Sequence, residues 1–421
     1  MGVFRIGSTT KPFGPQYRIV FLKQTAALWD WFTELSADLA SSVGPCLTFS
    51  SVDEERVIAN LTLRAGVPYR RDSDAARVVS WLRYFLQAAW VAARLRGSPL
   101  LFIVAQPPFL ALLGYVLNRL RGWSYVIWVD DVFPDGLIRL GRLSPNGFPA
   151  RLWRRFNRLT YSRAARVFTL GDCMASTIGP YLDANPAGRR ALTVVSTWVD
   201  AERFHPIPKA ENPFAREHGE VDKFTVLYSG NLGESHDLSV VLDAAASPDL
   251  PSDVSFLIIS NSPRAHEIAA QATTRGLKNV HLLPLQPAGV LPYSLATADV
   301  ALVALRHGIE GISMPSKTYY NMAAGAAVLG ISRSPSDLAG LLHDCHCGIN
   351  IEPGDSAGFL NALLRFYHDR VYLQRCRESA RAAANGRFSR KVNTGRVLNE
   401  LEPLLPQRLP TTDRPHQGLG L

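Results

Sequence analysis

Residues 300–331 read VALVALRHGIEGISMPSKTYYNMAAGAAVLGI, and their pattern of strand and helix signals predicts the fold class. Val300–Leu305 is a short, continuously apolar run that is typical of a buried strand, and Ala327–Ile331 is a second run of the same kind. Between them, Pro315 suits the first turn of a helix, which Thr318–Ala324 then continues up to a glycine. A strand, a helix and a strand in this order form the repeating unit of a parallel sheet.

The same alternation is predicted on both sides of this stretch. In the first half, the predicted strands are Tyr17–Leu22, Leu100–Val104, Tyr125–Val129, Arg166–Leu170 and Thr193–Val195. In the second half, they are Thr225–Tyr228, Ser255–Ile259, Val280–Leu283, Val300–Leu305 and Ala327–Ile331. The predicted helices include Ala26–Ala40, Asp74–Leu95 (with Val78, Leu82, Phe85, Ala89 and Ala92 on one side), Leu238–Ala246 and Pro263–Arg275. Strands that alternate with helices predict parallel sheets with helices on both faces.

The length and the linker signals predict two domains. A chain of 421 residues that is 47% hydrophobic is long and apolar enough for two cores. The Pro-rich polar stretch at 206–222 is the candidate linker between an N-terminal domain at 15–205 and a C-terminal domain at 223–385. We predict an α/β fold with two Rossmann-like, doubly wound domains that face each other across a cleft. A C-terminal helix at 386–403 could pack back on the N-terminal domain, and 404–421 is predicted to be a flexible tail.

The composition narrows the partners and the cellular location. The net charge of +9 favours anionic partners, but no nucleic-acid-binding module accompanies that charge. Five scattered cysteines do not suggest a disulfide framework, and the His- and Cys-bearing tract at 343–347 lacks a second ligand pair at metal-site spacing. The first residues have no apolar core of a signal peptide, and the apolar stretch at 100–117 is broken by two prolines. We therefore expect a cytoplasmic protein that is at most peripheral on a membrane.

In doubly wound sheets, ligands bind outside the carboxyl ends of the strands. The loops that follow predicted strands are Lys23–Ala26, Gln106–Phe109, Asp130–Asp135, Ser229–Asp237, Ser260–Arg264 and Arg306–Lys317. In the loop at 229–237, Gly230 and Gly233 allow a phosphate to approach the backbone closely. An ordinary strand–turn–helix connection has the same pattern, so both interpretations stay open.

The loop at 306–317 leads into the predicted helix of the opening stretch. Ser313 or Ser316 can cap that helix, whose N-terminal amides and positive dipole end form an anion site. Lys317 adds a positive charge there, and Glu310 could hold sugar hydroxyls. A diphosphate fits such a site, and a plainly capped helix is the alternative.

The loop at 130–135 carries three carboxylates. Asp130 or Asp131 could orient an acceptor hydroxyl or accept its proton, and Asp135 follows them on the acceptor side. Alternatively, these acids cap the next segment or pair with nearby arginines.

A basic stretch follows, with eight arginines and no acid between residues 136 and 166. Arg151, Arg154, Arg155 and Arg158 fall on one stripe of a predicted helix, and apolar residues fall on another. A basic amphipathic helix can lie on anionic lipid. The alternative is a solvated helix whose apolar side faces the core.

These motifs together resemble those of the family 4 glycosyltransferases, which have the GT-B fold. The matching phrases are WVDDVFPD (128–135), VVSTWVDAERFHPI (194–207), YSGNLGESHDL (228–238), SLATADVALVAL (294–305), EGISMPSKTYYNMAAGAAVLGIS (310–332) and CGINIEPGD (347–355). The resemblance spans roughly residues 15–400. It is strongest to the branch that builds capsule, O-antigen or exopolysaccharide repeat units.

The resemblance implies a donor site. Of the family's Glu-x7-Glu motif, the first acid is Glu310 and the second falls on Thr318. The family's Arg and Lys on the diphosphate correspond to Asn231 and His236, and Lys317 could supply the missing charge. The same motif assigns further donor-binding positions to Gly311, Ser313, Met314, Pro315 and Ser316. On the acceptor side, Lys23 stands where the family has a Gly-rich loop.

The resemblance also implies the reaction. The expected activity is that of a retaining, front-face glycosyltransferase that moves a sugar from a UDP- or GDP-sugar to a polyprenyl-diphosphate-linked saccharide. It implies no cofactor and no obligatory metal, and it places the protein at the inner face of the cell membrane on an anionic lipid surface. Two alternatives remain open: a sugar-nucleotide 2-epimerase of the same architecture and a non-catalytic partner that keeps the fold.

Overall fold

The computed structural model describes residues 16–25, 31–52, 55–70, 73–183 and 191–406. Within these ranges the chain forms one sheet of eight strands and one of six, with helices packed against both. The predicted α/β fold with two doubly wound sheets is confirmed.

The first sheet contains the strands of the N-terminal half. These are β1 Ile19–Leu22, β2 Cys46–Ser50, β3 Arg56–Ile58, β4 Leu61–Ala65, β5 Leu100–Val104, β6 Tyr125–Val129, β7 Arg166–Thr169 and β8 Leu192–Val194. Their order is β3-β4-β2-β1-β5-β6-β7-β8, and every pair is parallel except β3 with β4. The accompanying helices are α1 Trp31–Val43, α2 Asp74–Arg94, α3 Leu110–Arg121, α4 Asp135–Arg139, α5 Phe148–Tyr161 and α6 Asp172–Leu182.

The second sheet is parallel throughout. Its strands are β9 Phe224–Ser229, β10 Val254–Ile259, β11 Val280–Leu283, β12 Val300–Ala304, β13 Ala327–Ile331 and β14 Gly348–Ile351, in the order β11-β10-β9-β12-β13-β14. The helices are α7 Pro213–Glu217, α8 Ser239–Ala245, α9 Pro263–Thr274, α10 Leu291–Ala296, α11 Lys317–Ala323, α12 Asp337–Cys345, α13 Ser356–His368, α14 Arg370–Asn385 and α15 Arg390–Leu401, followed by a 3₁₀ turn at Glu402–Leu404. Strand order reverses between β9 and β12, which is where doubly wound sheets open a ligand crevice.

The sequence pattern does not predict β2, β3 and β4. β2 reads CLTFS, and its Thr48 and Ser50 are fully buried although they are polar. β3 is only three residues long and is exposed along its whole length. These strands form because neighbouring strands pair with them. A local hydrophobic pattern does not indicate which segments pair across a sheet. The predicted helix Ala26–Ala40 is observed as α1, and residues 26–30 lie outside the described ranges.

The helix α2 has its predicted length, but its packed side differs from the predicted one. Tyr84, Ala88 and Val91 are buried against the sheet, whereas Val78 is 55% exposed and Leu82 is 60% exposed. Since apolar residues occur nearly all round this helix, the spacing alone does not distinguish the packed side from the exposed one. Among the described residues, no helix combines the length and the apolarity that crossing a membrane requires.

The end of the chain returns to the first sheet. Arg390 in α15 forms an ion pair with Asp38 in α1 at 2.7 Å, and Arg166, the first residue of β7, pairs with Glu400 at 2.7 Å. The segment 206–222, predicted as a linker, contains α7, and its Lys209 ammonium pairs with Asp299 next to β12 at 2.5 Å. Of the predicted tail at 404–421, residues 407–421 lie outside the described ranges.

Candidate active site

Three loops of the second sheet meet at the carboxyl ends of neighbouring strands. They follow β9, β10 and β12 and cover residues 229–237, 260–264 and 306–317. The Arg306 N–H donates to the Ser235 carbonyl at 2.7 Å, which joins the first of these loops to the third. The predicted donor loops therefore form one surface at the point where the strand order reverses.

Lys317, the first residue of α11, lies at the centre of this surface. Its ammonium donates to the Tyr228 hydroxyl at 2.6 Å and sits 4.0 Å from the centroid of the same ring. Burial lowers the pKa of Lys317 to about 7. Within the described residues, no carboxylate forms an ion pair with it. Gly230 lies beside it with φ at +129°, a conformation that favours glycine, and a Cβ there would stand 3.5 Å from the Lys317 Nζ.

Two further basic side chains border the same loop. The Arg264 guanidinium donates to the His236 carbonyl at 3.0 Å and to the Gly233 carbonyl at 3.4 Å. Burial, with Lys317 and Arg264 nearby, lowers the pKa of His236 to about 3, so its ring is neutral at neutral pH. Lys317 and Arg264 are half-buried basic groups without an acidic partner among the described residues, and such a pair makes a site that an anionic ligand would complete.

Arg264 and Tyr228 are not among the predicted site residues. Arg264 is the second residue of α9, which Ser262 caps by accepting from the Ala265 N–H at 3.3 Å. The loop Ser260–Arg264 follows a predicted strand, which is the signal that could have found it. Asn231 is exposed, and its carbonyl accepts from the Tyr228 hydroxyl at 2.9 Å, so it stays at the rim of the loop.

The start of α11 differs from a plainly capped helix. Ser316 occupies the N-cap position, but its side chain makes no capping hydrogen bond. The Thr318 hydroxyl donates to the Pro315 carbonyl at 2.8 Å and is fully buried. Thr318 is therefore not brought to the surface that the basic residues border. Met314 and Pro315 are buried as well.

The loop after β12 also contacts the first sheet's side of the cleft. The Val132 N–H donates to the Ile312 carbonyl at 3.0 Å, and Asp131 and Ser313 pair as an antiparallel bridge. Gly311 is buried against α6. Arg139 donates to the Glu310 carbonyl, and the Glu310 carboxylate accepts from the Gly308 N–H at 3.1 Å. The predicted catalytic loop and the predicted donor loop are thus adjacent.

A second contact closes the cleft at α6. The Asp337 carboxylate of α12 accepts from the Cys173 N–H at 2.8 Å and from the Met174 N–H at 3.1 Å. It therefore caps the start of a helix that belongs to the other sheet. The approach is close enough that a Cβ on Gly171 would stand 2.2 Å from the Asp337 Cγ.

Asp131 is the acid of the 130–135 loop that has the properties of a proton acceptor. Burial, and then the neighbouring Asp130, raise the pKa of Asp131 to about 7. The Gln106 side-chain amide donates to the Asp131 Oδ2 at 2.6 Å and so orients the carboxyl. A general base is most effective when its pKa lies near the working pH.

Asp135 has a different environment. Its carboxylate accepts from Arg154 at 3.2 Å and from the Tyr181 hydroxyl. These bonds join α4, α5 and α6. Asp135 therefore fits the alternative interpretation, in which an acid of this loop pairs with a nearby arginine. The same pairing explains why Arg154 is less exposed than the other arginines of α5.

Lys23, on the predicted acceptor side, packs against aromatic rings of the first sheet's core. Lys23, after β1, is 4% exposed, and its ammonium lies 4.6 Å from the centroid of the Trp31 ring. Trp31 stacks on Trp128 with ring centroids 4.8 Å apart. The next residue, Gln24, donates its backbone N–H to the Gln106 carbonyl at 3.3 Å. Lys23 thus precedes Gln24, which is hydrogen-bonded to Gln106, and the Gln106 side chain orients Asp131.

The arginines of α5 divide into two groups. Arg151, Arg155 and Arg158 are exposed, whereas Arg154 turns inward to Asp135 and the Pro145 carbonyl. The same helix exposes Phe148 at 69%. Its surface therefore combines positive charge with apolar groups.

The two doubly wound sheets and the cleft between them define a protein with the GT-B architecture. Residues 223–369 match the family model described as glycosyl transferases group 1. The chain therefore carries a domain of this family at these residues, as its motifs predict.

Two curated relatives agree with the family of this domain, and a solved structure agrees with the fold. WbjE of Pseudomonas aeruginosa, named as a probable glycosyltransferase, is 25% identical over 64% of this chain, and the match spans 66% of WbjE, just under two thirds of its length. WcaI of Escherichia coli (strain K12), whose name assigns it to colanic acid biosynthesis as a glycosyl transferase, is 28% identical over 70% of this chain and 72% of its own length. The crystal structure of Anabaena Alr3699/HepE in complex with UDP superposes with a TM-score of 0.69, at 16% identity, over 92% of this chain and 100% of that one.

Proposed function

We propose that this protein is a retaining glycosyltransferase that moves a sugar from a UDP- or GDP-sugar to a lipid-linked saccharide in surface polysaccharide biosynthesis. The observation that carries the proposal is the half-buried Lys317 ammonium beside Gly230, with which no carboxylate among the described residues pairs. Two of the similar proteins support it, because HepE crystallised in complex with UDP and the name of WcaI refers to colanic acid biosynthesis.

The donor diphosphate would lie between the loop at 230–233 and the start of α11. Negative charge grows on the diphosphate as the glycosidic bond breaks, and Lys317 and Arg264 would stabilise that charge. Because burial lowers the pKa of Lys317 to about 7, a bound diphosphate would also draw this side chain into its protonated form. His236 is neutral at neutral pH, so we assign it hydrogen bonding and no charge.

The acceptor hydroxyl would lie beside Asp131. Its proton would pass to the Asp131 carboxylate, which the Gln106 amide holds in place. The acceptor oxygen would attack the anomeric carbon from the face that the diphosphate leaves, and the configuration would be retained. Glu310 lies at the junction of the two loops, where we place the donor sugar.

No metal or cofactor is part of the proposal. The positive charge that a divalent ion would supply to the diphosphate is already present in Lys317 and Arg264. Within the described ranges, no group of three or more His, Cys, Asp or Glu side chains is arranged to hold a metal ion.

The polyprenyl-diphosphate carrier of the acceptor would place the enzyme on the inner face of the cell membrane. The exposed arginines of α5 suit an anionic lipid surface at that location. Nucleic acid is not proposed as a partner.

The test is a transfer assay with radiolabelled UDP- and GDP-sugars and lipid-linked acceptors, comparing wild type with Lys317→Met. Since removal of one donor of stabilising charge costs about 10²–10³ in rate, we expect kcat/KM to fall by that factor. Lys391→Met, at an exposed position of α15, is the matched control and should keep wild-type turnover.

Wild-type turnover in Lys317→Met would contradict the assignment of the donor site to Lys317. A new epimer formed from donor alone would favour the epimerase, and no binding of any sugar nucleotide would favour the non-catalytic partner.

A further inference from the structure

The helix α2 exposes a continuous apolar stripe. Val78, Leu82, Leu86 and Trp90 are four residues apart and therefore lie on one side of the helix, at 55%, 60%, 59% and 48% exposure. The opposite side packs on the first sheet through Tyr84 and other buried residues. A side of this kind, apolar over more than three turns, is one that soluble monomers rarely leave in water.

The neighbouring helix α3 extends this surface. Leu120 is 77% exposed and Val116 is 38% exposed. The Arg121 guanidinium at the end of α3 donates to the Ala92 carbonyl at 3.2 Å and to the Ala93 carbonyl at 3.0 Å, which ties the two helices together at their C-terminal ends. We call the exposed apolar residues of α2 and α3 the α2–α3 face.

The charge around the α2–α3 face is mainly positive. Residues 74–129, which contain both helices, have six arginines and a single acid, Asp74 at the start of α2. Arg83 is exposed beside the stripe, and the Arg94 guanidinium lies 3.5 Å from the centroid of the Trp90 ring. If a second copy of this chain covered the face, arginines would meet arginines. An anionic lipid surface instead offers hydrocarbon to the stripe and phosphate to the arginines.

The packed side of α2, opposite the exposed stripe, contacts the acceptor side of the cleft. The Gln24 side-chain amide donates to the Ser80 carbonyl in the second turn of α2 at 3.1 Å. The Gln24 backbone N–H bonds to Gln106, whose amide orients Asp131. The second turn of α2 is therefore joined to the residue that orients the proposed base through buried Gln24.

We propose that the protein docks on anionic bilayers by inserting the α2–α3 face, with Leu82, Leu86 and Trp90 in the acyl boundary and the flanking arginines at the phosphates. The stripe on α2 is distinct from the basic stripe of α5, which lies along the same side of the sheet and adds charge. This inference rests on the proposed function only for the identity of the lipid-linked acceptor, because the protein can dock on a bilayer without transferring a sugar.

The experiment is flotation of the full chain with vesicles of phosphatidylglycerol and phosphatidylethanolamine, compared with phosphatidylcholine vesicles. Wild type should float with the anionic vesicles only. The variant Leu82→Gln/Leu86→Gln should bind at least about tenfold more weakly, because two inserted leucines are replaced by amides. The matched control, Val371→Gln/Val392→Gln, changes two exposed apolar residues far from this face and should bind like wild type.

A spectroscopic measurement localises the contact. Subtracting the emission spectrum of Trp90→Phe from that of wild type gives the emission of Trp90. On addition of anionic vesicles, this emission should shift to the blue, because Trp90 moves out of water. Failure of wild type to float would overturn the proposal, as would undiminished binding of the leucine variant. A wild-type dimer that the same variant dissociates would show that a second copy covers the face. Loss of sugar-nucleotide binding with intact flotation would refute the proposed function alone.

Discussion

The two sides of the cleft contain half-buried ionisable groups of opposite kinds. On the donor side, Lys317 and Arg264 surround a glycine loop and have no acidic partner among the described residues. On the acceptor side, Asp131 lies beside Asp130 and under the Gln106 amide. In the proposed reaction, one side receives the negative charge of the leaving diphosphate and the other receives the proton of the acceptor.

Burial acts on the two sides in opposite directions. It disfavours the charged form of each group, so it lowers the pKa of Lys317 to about 7 and raises the pKa of Asp131 to about 7. Both groups can therefore change protonation within the range in which the enzyme works. In the proposed reaction, the donor diphosphate requires the protonated form of Lys317. The acceptor hydroxyl requires the deprotonated form of Asp131.

The largest expected effect comes from removing the base on the acceptor side. Asp131→Asn keeps the shape and the partner of the carboxyl but abolishes proton acceptance, so kcat should fall by about 10²–10⁴. The affinity for UDP, measured by calorimetry, should stay the same because the donor side is untouched. Asp172→Asn, at an exposed position of α6, is the control. A variant with full activity would show that proton transfer occurs elsewhere.

A smaller effect is expected from separating the two sides. Gly171→Ala places a methyl group 2.2 Å from the Asp337 Cγ in the wild-type arrangement, so the contact between α12 and α6 must open. Misplacement of the reacting groups by about 1 Å can cost about 10²-fold, and we expect kcat to fall by up to that factor. Small-angle scattering should show a larger radius of gyration. Gly179→Ala on the same helix, where a Cβ meets nothing within 4 Å, should change neither quantity.

The fold was predictable where the local pattern carries it. The apolar runs that became β5, β6, β9, β10, β12 and β13 are buried along their whole lengths, and they were predicted within a residue or two. β2 was not, because its buried Thr48 and Ser50 interrupt the apolar pattern. The packed side of α2 was also missed, because Val78 and Leu82 satisfy the helical spacing and nevertheless face outward.

The site was predictable as a set of loops but not as a set of contacts. Lys317, Gly230 and Asp131 follow strands, and that position made them candidates. The amide of Gln106 and the guanidinium of Arg264 depend on pairings between strands that are distant in the sequence. Thr318 shows the converse, because the helix turns it into the core although the motif places it in the site. Asp337, which caps a helix of the other sheet, has no local signal at all.

The comparison of the two sides is tested most directly by the pH dependence of kcat/KM, which reports the ionisations of the free enzyme. Asp131 must be deprotonated, so activity should fall as the pH drops below its pKa of about 7. Lys317 must be protonated, so activity should fall as the pH rises above its pKa of about 7. The profile should therefore be a narrow bell with its maximum near neutrality.

The decisive measurement is this profile for wild type, Lys317→Arg and the control Lys391→Arg. Because an arginine stays protonated throughout, Lys317→Arg should lose the alkaline limb and keep the acid limb, whereas the control should reproduce the bell. An alkaline limb that stays in place in Lys317→Arg would contradict the assignment of the donor-side charge to Lys317.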